Sequence, residues 1–346
     1  MTASPLRLTA LSHGGGCGCK IAPGVLSDLL AGTRALPVPP ELLVGIGSAD
    51  DAAVYKISDS QAIVATTDFF MPIVDDPEDF GRIAATNAIS DVYAMGARPL
   101  FALAVVGMPV NSLPPETIGR ILEGGARAAA AAGIPVAGGH TIDSVEPIYG
   151  LVAIGLVDLD RMKQNDQAQA GDLLVLGKPL GVGVYSAAFK KEQLSEAQYA
   201  EMIATMTRLN TPGPDLAALP GVHAMTDVTG FGLAGHGLEM ARGSGLRAEV
   251  EWGAVPLLSG ARALAEAGHV TGASGRNWAS YGVEVTLEGL GEVDRALVCD
   301  PQTSGGLLVS CAPEALEAVL ATFRRHGFDA AAPVGRMVAG QGIAFG

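Results

Sequence analysis

Twice along this 346-residue chain, short apolar, strand-like runs alternate with helix-patterned segments, and a polar stretch, 158–170, separates the two series. Such alternation restricts the chain to an α/β (α+β) layered architecture, because each strand or helix must cover its apolar side with another element. In the first series, strand patterns fall at 52–57, 61–67, 101–108 and 148–157. Helices are predicted at 78–95, opened by Asp76-Pro77 and closed by Gly96, and at 115–132. In the second, strands are expected at 172–176, 247–252, 282–287 and 306–311, and helices at 184–191, 196–209 and 314–326. The expected divisions are therefore a flexible glycine-rich lead-in, 1–46, a first domain, 47–157, and a second, 171–346.

Composition narrows the partners. Lys and Arg number 22 against 36 Asp and Glu, a net charge of −14. Nucleic acid is excluded as a partner on that balance, since polyanion binding draws on Lys and Arg to displace counterions. The uncharged run between Arg98 and Glu116 is interrupted by Pro99 and Pro109 and falls short of the ~20 residues of a membrane span. Four cysteines (Cys17, Cys19, Cys299, Cys311) are too few for a disulfide scaffold, and Met1 to Gly16 carries no signal-peptide pattern. A cytoplasmic protein is expected.

The acids are informative by their isolation. Asp91 is the single charged residue between Arg82 and Arg98, Asp227 between Asp215 and Glu239, and Asp68 between Asp59 and Asp75; Asp50-Asp51 form a tandem pair. A carboxylate in apolar surroundings protonates, pairs or binds metal. Each alone reads as a helix cap or a buried ion pair. Three converging would repel by ~4 kcal/mol per pair at ~4 Å in an effective dielectric of ~20. A divalent cation removes that penalty, and oxygen-only ligands select Mg²⁺ or Mn²⁺ over zinc. Asn87 and Asp91, four apart on a predicted helix, share a face and could serve one metal–phosphate cluster.

The opening Gly14-Gly15-Gly16-Cys17-Gly18-Cys19-Lys20 has too many glycines for a regular element and reads as a mobile loop. It fails the P-loop pattern at Cys19 and Ile21. One residue between the cysteines is too short for a zinc ligand pair and would strain a disulfide. What remains is an inert surface loop, or a thiol whose pKa Lys20 can lower and whose softness suits a chalcogenide. Gly138-Gly139-His140-Thr141 reads as a phosphate-contacting turn or simply a turn before the next strand. Thr226-Asp227-Val228-Thr229-Gly230-Phe231-Gly232 fits metal plus phosphate or a capped helix, and Asp300-Pro301-Gln302-Thr303-Ser304-Gly305-Gly306 a turn entering a buried strand. None of the scattered histidines His13, His223, His236, His269 and His326 is assigned to a metal.

At these residues, together with Asp50-Asp51-Ala52-Ala53-Val54-Tyr55, Thr66-Thr67-Asp68-Phe69-Phe70 and Asn87-Ala88-Ile89-Ser90-Asp91, the sequence resembles the selenophosphate synthetases (selenide, water dikinases). These belong to the aminoimidazole-ribonucleotide-synthetase-like ATP-binding superfamily. The similarity runs over nearly the whole chain, and the cysteine–lysine arm is its specific part. It implies conversion of ATP, selenide and water to selenophosphate, AMP and orthophosphate, with more than one Mg²⁺. By the same resemblance Cys17 is the essential thiol and Lys20 its partner cation; Asp51, Asp91 and Asp227 are metal ligands. Lys20, Ser48, Ala49, Asp50, Asp68, Asp91, Gly139, His140 and Thr141 fall on ATP-binding positions. The implied architecture is a homodimer of two-domain chains, each domain a mixed sheet packed with helices. The first-domain sheet would form a barrel across the dimer interface. Two other readings stay open: another ATP-using kinase or synthetase of the superfamily, which would not need Cys17 and Lys20, or a non-catalytic selenium- or metal-binding protein.

Overall fold

The computed structural model describes residues 7–21, 25, 29, 38–45 and 50–346. Ser48 and Ala49 lie outside the described residues.

The first domain is built on a six-stranded sheet. Its strands are β1 (Leu42–Val44), β2 (Ala53–Lys56), β3 (Gln61–Phe70), β4 (Arg98–Met108), β5 (Val136–Asp143) and β6 (Ile148–Asp158). The order is β1-β2-β3-β6-β4-β5. Neighbours are antiparallel except β4 and β5, which run parallel. Helices α1 (Pro77–Ala94) and α2 (Pro115–Ala131) cover one face. Strand β3 shows why: its even-numbered residues Ala62, Val64, Thr66, Asp68 and Phe70 are buried against α1, while Thr67 and Phe69 point the other way and are exposed. Asp76 caps α1 by accepting from the Asp79 amide at 3.0 Å, with Pro77 in the first turn, as the sequence predicts. The two helices touch through glycine. A Cβ on Gly81 would stand 1.9 Å from the Ile121 carbonyl oxygen, and one on Gly124 2.0 Å from that of Glu78.

The second domain carries a seven-stranded sheet: β7 (Leu173–Leu176), β8 (Val222–Asp227), β9 (Arg247–Val250), β10 (Val285–Leu287), β11 (Leu307–Cys311), β12 (Ala332–Val338) and β13 (Gly342–Phe345). Its order is β10-β13-β9-β12-β7-β11-β8. The helices are α3 (Val182–Lys190), α4 (Glu196–Met206), α5 (Gly213–Ala217), α6 (Gly232–Ser244), α7 (Ala261–Glu266), α8 (Gly272–Tyr281), α9 (Glu292–Val298) and α10 (Leu316–Arg325). They cover both sheet faces. Leu174, Leu176 and Leu308 join the core with Leu238 of α6, whereas their neighbours Val175, Leu307 and Val309 pack with Phe323 of α10.

Helix α1 lies between the domains, touching β3, β4 and β6 on one side and α4, α5 and β8 on the other. From Phe80 to Ser90 every residue but Arg82 is buried, so its polar side chains must find partners within the protein.

Two expectations are corrected. Residues 138–141 do not form a turn but lie within β5, where Gly139 permits a close approach: a Cβ there would meet the Ala104 carbonyl oxygen at 2.1 Å. The glycine-rich opening does hold regular structure, a 3₁₀ turn at Gly16–Cys19 that starts at Gly16 with φ +56°. Within one chain the first sheet is open, with β1 and β5 as its edges, and no barrel closes.

Candidate active site

Three carboxylates from distant parts of the chain meet between the domains. Asp51 precedes β2, Asp91 lies on α1, and Asp227 ends β8; each offers an oxygen within 4.8 Å of the others. Each is held by a hydroxyl. Thr226 Oγ1 donates to Asp51 Oδ1 at 2.8 Å, Thr66 Oγ1 to Asp91 Oδ2 at 2.5 Å, and Ser90 Oγ to Asp227 Oδ2. Asn210 Nδ2 in turn donates to Ser90 Oγ at 2.7 Å. The alternation of β3 puts Thr66 and Asp68 on the face toward α1, and helical spacing puts Asn87 and Asp91 opposite them. Asn87 Nδ2 accordingly donates to Asp68 Oδ2 at 2.8 Å.

Charge is badly balanced here. Burial and then repulsion from Asp227 push Asp51 and Asp91 well above the usual carboxylate range, and burial raises Asp227. Asp50, beside the cluster, is pushed up by burial to about 7. Asp50 Oδ2 and Asp51 Oδ2 are buried and have no hydrogen-bond partner in the protein. Three converging carboxylates, one with an unclaimed oxygen and a second such oxygen on neighbouring Asp50, fit a hard divalent cation better than a set of ion pairs.

The N-terminal segment covers this cluster. Cys17 is 1% exposed; its Sγ donates to Asn87 Oδ1 at 3.1 Å and its backbone N–H to Thr303 Oγ1 at 3.0 Å. Lys20 Nζ lies 3.4 Å from Asp68 Oδ2, and Asp68 raises the lysine pKa. Lys20 does lower the thiol pKa, as the sequence suggests, but it does not decide it. Burial, then Asp68, push Cys17 well above its ordinary value, and Lys20 only partly offsets them because its ammonium faces Asp68. Cys19 Sγ donates to the Gly16 carbonyl at 2.9 Å.

Cys17, Lys20, Asp51, Asp68, Asp91 and Asp227 therefore come together, with Asp50 alongside. Gly139, His140 and Thr141 do not. They are exposed on edge strand β5, in the row β3-β6-β4-β5 that links Asp68 to Leu151, Ala104 and Gly139. Three strand spacings, roughly 14 Å, separate them from Asp68. Pleating sends His140 to the sheet face opposite the one carrying Asp68. The hydroxyl of Thr226 belongs to the segment whose sequence fits metal plus phosphate, whereas those of Thr66 and Ser90 were not singled out, although each lies within two positions of an isolated acid. Thr303 and Asn210 gave no local signal of contact with this site.

The protein families represented in the chain agree with this architecture. Residues 49–157 match the AIR synthase related protein, N-terminal domain, and residues 169–346 the AIR synthase related protein, C-terminal domain. A "Selenide, water dikinase" of Burkholderia pseudomallei (strain K96243) is 67% identical over 339 residues, covering 98% of this chain and 96% of the relative. The protein of the same name from Dechloromonas aromatica (strain RCB) is 65% identical over 342 residues, covering 99% and 98%. Among solved structures, thiamine-monophosphate kinase from Stenotrophomonas maltophilia K279a shares the fold at TM-score 0.64 and 23% identity, covering 88% of this chain and 91% of that one. A chain of the HypE-HypF complex does so at 0.67 and 18%, covering 93% of this chain and 95% of that one.

Proposed function

The chain belongs to the selenide, water dikinases of the AIR synthase related family, and we propose that it makes selenophosphate from ATP, selenide and water at the Asp51–Asp91–Asp227 cluster. The observation that carries the site assignment is the convergence of three buried or half-buried carboxylates, one of them with an unclaimed oxygen, beneath a thiol and an ammonium. Asp51, Asp91 and Asp227 are the residues that would hold Mg²⁺, which when bound neutralises phosphate charge and orients the triphosphate. More than one ion is proposed, with Asp50 and Asp68 beside the cluster as nucleotide contacts.

The protein groups then divide the work of phosphoryl transfer, which rests on positioning and charge. Thr66, Ser90 and Thr226 fix the carboxylates. Lys20, between Asp68 and the cluster, is placed to meet a terminal phosphate. Cys17 is held by Asn87 with its thiol protonated, so it can present or orient the chalcogenide nucleophile while the covering segment limits water. The remaining ADP must be hydrolysed for AMP and orthophosphate to appear.

A homodimer is proposed on two grounds. Tyr55, Phe69, Leu103 and Ile142 lie on one sheet face, that opposite α1, and all are exposed. Gly139, His140 and Thr141 lie exposed on the edge strand, with His140 on the face turned away from the cluster of their own chain, so we assign them to the partner's site. Among the described residues no helix is long and apolar enough to cross a membrane.

Phosphorus NMR of the protein with Mg-ATP, with and without selenide under anaerobic conditions, tests the reading. Selenophosphate, AMP and orthophosphate should form only with selenide, and Cys17→Ser should abolish them while Mg-ATP still binds. Asp51→Ala should weaken Mg-ATP binding at least tenfold by calorimetry. Turnover of ATP without selenide would instead indicate a different kinase of the superfamily.

A further inference from the structure

The loop 300–306 is assigned no part in the chemistry, yet it is tied to everything that surrounds the thiol. Thr303 Oγ1 accepts the Cys17 amide. Ser304, held in a left-handed conformation at φ +52°, gives its N–H to Asn87 Oδ1 at 2.7 Å, the same atom that accepts the Cys17 thiol. Buried Lys178 clamps the Ser304 carbonyl at 2.6 Å, and Asn210 Nδ2 holds that of Gly305 at 2.8 Å. A few ångströms along, Arg276 Nη2 of α8 donates to the Gly18 carbonyl at 2.9 Å. Helix α8 is itself bound to the metal-side loop, since Asn277 Nδ2 donates to the carbonyls of Gly230 and Cys299.

These contacts leave no room for a looser fit. A Cβ on Gly16 would stand 2.4 Å from Thr303 Oγ1, and one on Gly230 2.9 Å from the Cys17 carbonyl oxygen and 3.1 Å from Lys20 Cδ. We propose that Thr303 and Arg276 form a socket of the second domain that seats the Cys17–Gly18 peptide, and so act as positioning residues for the thiol. The catalytic consequence rests on the reading that Cys17 serves selenophosphate formation; the seating itself does not. Neither residue touches the carboxylate cluster. Their loss releases the covering segment and leaves the metal site intact.

The test compares Thr303→Val, Thr303→Ser and Arg276→Gln with the unaltered protein. The alkylation rate of Cys17 by iodoacetamide is followed by peptide mass spectrometry, which scores Cys19, Cys299 and Cys311 separately. Loss of one hydrogen bond from the seated state should raise the Cys17 rate roughly tenfold in Thr303→Val and Arg276→Gln, with Thr303→Ser restoring protection through its hydroxyl. In steady-state AMP formation the same two variants should lose kcat/KM for selenide by a similar factor, with Mg-ATP affinity within about twofold. Unchanged Cys17 reactivity in both variants overturns the socket, and so does a Thr303→Ser protein as reactive as Thr303→Val. Arg276 is exposed, so its variant keeps the test sound if the buried Thr303→Val fails to fold. A protein that makes no AMP with selenide removes the functional reading, while the alkylation rates still decide the seating.

Discussion

At the scale of single residues, the cluster of Asp51, Asp91 and Asp227 carries a penalty that follows from its geometry. Asp227 is the leading charged neighbour that raises both other carboxyls. Asp227→Asn can still accept from Ser90, so it removes repulsion without orphaning a partner. In EDTA this variant should melt about 2–4 °C higher than the unaltered protein, and the rise in Tm that Mg²⁺ gives the latter should vanish. A lower Tm in EDTA would show that the three acids do not repel one another in the metal-free fold. The acids were legible in the sequence because basic residues near them are scarce. The thiol's surroundings were not: Cys17 meets Asn87, Thr303 and, through Gly18, Arg276, and the last two lie more than 250 positions away. Local composition put Lys20 beside the thiol; only the fold puts Asp68 against Lys20.

At the scale of elements, helices α1, α2, α3, α4 and α10 and most of the described strands follow from apolar periodicity and caps, as the Asp76-Pro77 start of α1 illustrates. Strand β5 was hidden because Gly138-Gly139 looks like a turn, whereas here glycine serves the approach to β4. The α1–α2 contact has the same cause. Gly124→Ala should destabilise by about 1–3 kcal/mol through overpacking against the Glu78 carbonyl, seen as a lower urea midpoint with an unchanged slope. The loop entering β11 offers a pH test. Asp300 Oδ2 accepts from the Gly183 amide at the start of α3, but Oδ1 has no partner, and burial pushes the carboxyl to about 7. The unfolded chain loses this proton first, near the ordinary value of 3.8, so the folded state binds more protons between about 4 and 7. Stability falls as pH rises through that window. Asp300→Asn should flatten that fall, so the gap in urea midpoint between pH 4.5 and 7.5 narrows.

At the scale of the whole molecule, the layered α/β build follows from the alternation of elements, and the two sheets realise it. What a single sequence cannot display is a partner, and the exposed face of the first sheet calls for one. If the proposed dimer forms across that face, Phe69→Glu should shift the protein from dimer to monomer in analytical ultracentrifugation and lower AMP formation. A variant that stays dimeric would place the interface elsewhere. The position of α1 has a mechanical consequence. Two of the three clustered oxygens ride with the first lobe and the third with the other, so neither lobe owns a complete grip on a cation. If the cluster holds the cation proposed above, a swing that parts the lobes would divide its ligands and so join release of spent nucleotide to opening of the molecule in a single event.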